Sequence, residues 1–114
     1  MGLRLNQSGT YKWPVTVQIP IDGGKYEKTK FDAEFKRLTE TRILEINELI
    51  TKGKLVAVDL CKEVLVGWEG IEDDDGNEEK FSEANKKKLL NVPRVAQFIS
   101  EAFYSSIEGA KRKN

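Results

Sequence analysis

The sequence predicts an α+β fold, an N-terminal β-hairpin or small antiparallel sheet packed on about four α-helices. Residues Trp13 to Ile21 alternate apolar and polar with a period of two, and a second alternating run carries Phe31, Ala33 and Phe35. After Thr39 the apolar residues recur at helical spacing instead.

In the first run Val15, Val17, Ile19 and Ile21 fall on one side and Thr16, Gln18 and Pro20 on the other, as in a half-buried strand. Pro14 and Pro20 lack backbone donors, which suits a sheet edge or the ends of a strand. Asp22, Gly23 and Gly24 supply a tight reversal into the second run. A lone hairpin is marginal, so its apolar face must be covered, either by a third strand from Leu3 and Leu5 or by the helices that follow.

Thr39 is placed as the N-cap of a helix with Ile43, Ile46, Leu49 and Ile50 on one stripe, and Gly53 stands where a left-handed C-terminal residue belongs. From Leu55 to Trp68 the adjacent apolar pairs Leu60-Cys61 and Val64-Leu65 break strand alternation. A second helix is therefore expected over the whole stretch, with Ala57, Leu60, Cys61, Val64, Leu65 and Trp68 on one face. The acidic segment from Glu72 to Glu79 has no apolar period and reads as an exposed loop turning at Asp75-Gly76.

Ser82 caps a short third helix through Leu89 and Leu90 that ends near Asn91. Pro93 is expected at the first position of a fourth helix carrying Val95, Phe98, Ile99, Ala102, Phe103 and Ile107, with Gly109 as its stop. The chain of 114 residues fits one domain, 1–114, with residues 1–10 and 110–114 expected to be flexible.

Nineteen basic residues balance nineteen acidic ones, so no global field draws the chain to a polyanion or an anionic membrane, and nucleic acid and membrane partners are not expected. The longest apolar-rich stretch is interrupted by Asp59, Lys62 and Glu63 and is too short for a membrane helix. A single cysteine and the absence of a secretory-type leader pattern point to a reducing cytoplasm.

The sequence has no histidine, which removes the usual general base near neutral pH, the Ser-His and Cys-His pairs and most zinc-ligand sets. The acidic segment fails as an EF-hand: with Gly76 at the sixth position, Ile71 and Ser82 occupy ligand positions that need carboxylates. Gly23-Gly24-Lys25 fails as a phosphate loop, because Ile19 and Tyr26 stand where glycine and Ser or Thr belong. Cys61 reads as a small buried hydrophobe. Lys86-Lys87-Lys88 and Lys111 to Lys113 lack interleaved aromatics and read as solvated charge. No catalytic, metal or cofactor site is expected.

Candidates for a protein-binding surface are the aromatics Trp13, Trp68 and Tyr104 and the acidic residues Asp73, Asp74 and Asp75. Trp68 and Phe103 also lie on faces that the core needs, whereas Tyr104 falls beside the stripe of its helix and is the stronger interface candidate.

Several short pieces in order carry a resemblance: Trp13-Pro14-Val15, the Pro20 to Gly24 turn, Phe31 to Leu38, Val64 to Gly70 (Val-Leu-Val-Gly-Trp-Glu-Gly), Asp75-Gly76 with Phe81-Ser82, and Ala102-Phe103. Together, from about residue 11 onward, the chain resembles the tail assembly chaperones of long-tailed, siphovirus-type bacteriophages and prophages. The resemblance implies a non-enzymatic protein of the host bacterial cytoplasm that holds the aggregation-prone tape measure protein until tail tube protein polymerises around it. It further implies self-association and a longer form of the same protein made by translational frameshifting. Two other readings stand beside it: a small regulatory or nucleic-acid-binding domain of prophage origin acting through its two basic clusters, and a carboxylate- or metal-dependent small enzyme using Glu78 and Glu79.

Overall fold

A computed structural model describes residues 2–109. The elements are β1 (Thr10–Ile21), β2 (Lys25–Lys36), α1 (Glu40–Thr51), α2 (Ala57–Val64), β3 (Leu65–Glu69), α3 (Glu83–Leu90) and α4 (Val95–Glu108). The expected α+β architecture is present: a three-stranded antiparallel sheet in the order β1-β2-β3, with four helices. Thr10, grouped with the leading segment on sequence grounds, is the first residue of β1. The expected flexible segment 110–114, with its basic Lys111 to Lys113, lies outside the described residues.

The hairpin forms where the alternation places it, in unbroken register from Thr10↔Lys36 to Ile21↔Lys25. Its reversal runs through Gly23 and Gly24, both at positive φ, a conformation that side chains beyond glycine rarely adopt. Val15, Val17, Phe31, Ala33 and Phe35 are buried on one face of the sheet. Packed with them are Leu60, Cys61 and Val64 of α2 and Val95, Ile99 and Phe103 of α4, making one core. Phe35 meets its cross-strand partner Tyr11 edge-on at 5.9 Å, and Phe35 to Phe103, 5.4 Å between centroids, ties the sheet to α4.

Four expectations are corrected. The third strand is not drawn from Leu3 and Leu5, which are almost fully exposed; it is Leu65–Glu69. The helix expected from Leu55 to Trp68 accordingly covers only Ala57–Val64. At Leu65 the chain passes directly into β3, because Leu65 and Trp68 bury equally well when paired with Phe35 and Ala33 of β2. The pairing skips Val66, a bulge that lets Gly67 lie against Glu34.

Pro93 does not open α4. Arg94 intervenes as its N-cap in the left-handed conformation, φ 70°, with its guanidinium 5.3 Å above the Phe98 ring. Finally, Lys86 is not solvated charge. It is 7% exposed and its Nζ donates to the Lys62 carbonyl at 2.8 Å, satisfying one of the last carbonyls of α2.

Both side-chain caps expected from the sequence are formed. Thr39 Oγ1 accepts from Arg42 N and Ser82 Oγ from Asn85 N, each at 3.1 Å. Lys52 is the C-cap of α1, and Gly53 follows it at φ 71°. Helix α4 buries a slightly rotated face, taking in Ala96 and Ser100 and leaving Ile107 39% exposed.

Candidate functional site

Trp13, Ala33 and Trp68 stand opposite one another on adjacent strands, so the two tryptophans flank the small alanine in one row on the inner face. Trp13 is half-buried and borders a groove with Tyr11, Leu38, Phe103 and Ile107. Trp68 is buried. Its Nε1 donates to the Glu79 carbonyl at 2.7 Å, and its ring meets Phe81 edge-on at 4.9 Å.

Trp68 thereby fastens the base of the acidic loop. Within that loop Asp73 Oδ1 accepts from the amides of Asp75 and Asn77 at 2.9 Å each, while Glu79 N–H bonds to the Ile71 carbonyl at 2.7 Å. Asp73, Asp74 and Asp75 are exposed on a tip closed by its own backbone. Among the described residues no group of three or more Asp, Glu, Cys or His is arranged to hold a metal ion.

Tyr104 lies elsewhere, on α4, where its hydroxyl donates to Asn47 Oδ1 of α1 at 2.9 Å. Burial, followed by the nearby Glu108 carboxylate, raises its pKa. Cys61 is buried between α2 and α4; its thiol donates to the Ala96 carbonyl at 3.3 Å, and burial pushes it up to about 11. Trp13 and Trp68 thus share a row and Trp68 reaches the loop, whereas Tyr104 belongs to the α1–α4 seam. The six candidates do not form one patch.

What the structure adds is an arm. Every residue from Ile21 to Lys30 is exposed, including Ile21 at 48% and Tyr26 at 64%. Strand β3 pairs only with Asp32–Phe35 of β2 and ends at Glu69. Gly70 then turns the chain away at φ 93°, close against Phe31, where a Cβ would meet the Phe31 backbone at 3.5 Å. The outer part of the hairpin therefore extends past the end of β3 as a two-stranded arm, with Val17 still buried and Ile19 packed against the core on its inner face. The sequence signal for it is Lys25-Tyr26-Glu27-Lys28-Thr29-Lys30, where the apolar alternation of β2 has not yet begun.

Among the described residues no helix is long and apolar enough to cross a membrane. The fold is that of a small α+β domain with an exposed hairpin arm. The chain belongs to the YdaY prophage protein family, whose model matches residues 26–113. No curated protein and no solved structure matches it significantly.

Proposed function

We propose that this prophage protein is a non-catalytic tail assembly chaperone that binds the tape measure protein in the host bacterial cytoplasm until tail tube subunits enclose it. The resemblance across the chain from about residue 11 supports the tail role, and family membership supplies the prophage origin. The observation that carries the reading is the projecting arm: a strand pair anchored at its stem, with Ile21 and Tyr26 uncovered at its end, is suited to gripping an elongated client. Self-association would let several such arms act along one client.

Co-expression with the tape measure protein encoded nearest to its gene tests the proposal. Co-elution in size exclusion with a gain in client solubility is the expected result. A client that is soluble alone and elutes separately overturns it.

A further inference from the structure

The Gly9 carbonyl accepts from Arg37 N–H at 2.9 Å, and this sets the phase of the β1–β2 ladder. Odd-numbered residues of β1 exchange bonds with odd-numbered residues of β2, and even-numbered residues turn their backbone groups outward. On β1 the outward positions include Pro14 and Pro20, which have no N–H to offer. On β2 the outward groups of Asp32 and Glu34 face β3, while those of Tyr26, Lys28 and Lys30 lie beyond its end. Among the described residues no backbone bond from another segment reaches these three. The two edges therefore differ: one is blunted by proline, and the other has its donors and acceptors intact.

The side chains along the intact edge define its guest. Tyr26, Lys28 and Lys30 share one face with Thr16, Gln18 and Pro20, and no acidic residue stands among these six. The chain's own acidic loop cannot serve as the strand, since its backbone is closed by the Asp73–Asn77 and Ile71–Glu79 bonds.

We infer that the β2 edge from Tyr26 to Lys30 is a strand-addition site for an extended acidic segment of a partner protein, laid down where β3 leaves off. Backbone bonds to the even-numbered residues hold the guest, and carboxylates at alternate positions meet Lys28 and Lys30. The inference deepens the chaperone reading and rests on it for the partner's identity.

The test uses the full chain and a fluorescein-labelled decapeptide of alternating Glu and Val, followed by fluorescence anisotropy. Saturable binding is expected, weakening with salt and falling at least about tenfold for Lys28→Pro, which copies on β2 the device already present at Pro14. Lys28→Gln should weaken binding less, because it keeps the amide. A peptide N-methylated at its Glu residues, whose amides face the edge when their carboxylates meet Lys28 and Lys30 across an antiparallel pair, should not bind, which tests the edge without altering the protein. Equal binding of a Lys-Val decapeptide, no saturable binding, or full binding of the N-methylated peptide overturns the inference. Peptide binding without co-elution of the tape measure protein sinks the chaperone reading and leaves the edge; co-elution undiminished by Lys28→Pro does the reverse.

Discussion

Arg42 of α1 holds Glu63 of α2 through two parallel hydrogen bonds, Nε to Oε2 at 2.9 Å and Nη2 to Oε1 at 2.8 Å. The guanidinium keeps the Glu63 carboxyl below the usual range, against a smaller opposing effect of burial. A carboxylate with a depressed folded pKa adds stability above its unfolded pKa, about 4.3, and the contribution is lost as pH falls through the folded value. Glu63→Gln should therefore melt below wild type at pH 7, with the difference closing toward pH 3. Thermal melts across that range check it, and a constant difference would refute the linkage.

Thr39 caps α1 at the amide of the same Arg42, so the cap and the ion pair share a residue. Thr39→Ala is expected to cost about 1 kcal/mol in urea denaturation, and Ser82→Ala a similar amount. Combined with Glu63→Gln, the Thr39 change should be non-additive and the Ser82 change additive.

Trp68→Phe keeps a ring against Phe81 but removes the donor to Glu79, and should cost about 1 kcal/mol. Trp68→Ala also leaves a cavity, for about 3–5 kcal/mol. In both variants the amides of the acidic loop should exchange faster than in wild type, measured by hydrogen exchange.

With its pKa near 11, the Cys61 thiol is ionised in roughly one molecule in a thousand at pH 8, and it is enclosed as well. A disulfide reagent at that pH should release no colour from the native protein and one equivalent in denaturing urea. Rapid native labelling would contradict the packing of α2 on α4.

The hairpin and both caps were legible because each is written locally: a period of two in Val15-Val17 and Phe31-Ala33-Phe35, and a hydroxyl before each apolar run. Strand β3 was not, because Val64-Leu65 straddles the junction and Leu65 fits the helical period as well as it fits its place opposite Phe35. Lys86 escaped for a different reason: its amine is satisfied by a carbonyl 24 residues away, and no local pattern encodes that. Of the candidate surface, the aromatics were visible as residue types, but the Trp13-Ala33-Trp68 row depends on a register that exists only once β3 is in place. The arm was written as a missing alternation, and its meaning emerged when β3 proved to stop short of it.

Pro14 and Pro20 bear on how copies of the chain can meet. Passing a sheet from molecule to molecule requires two working edges on each, the arrangement that builds fibres. An arm with one of its two edges blunted by proline is a terminator. Two copies meeting through the β2 edges of their arms would close into a finite two-fold pair, and an arm already engaged there has only its proline-blunted edge left to offer.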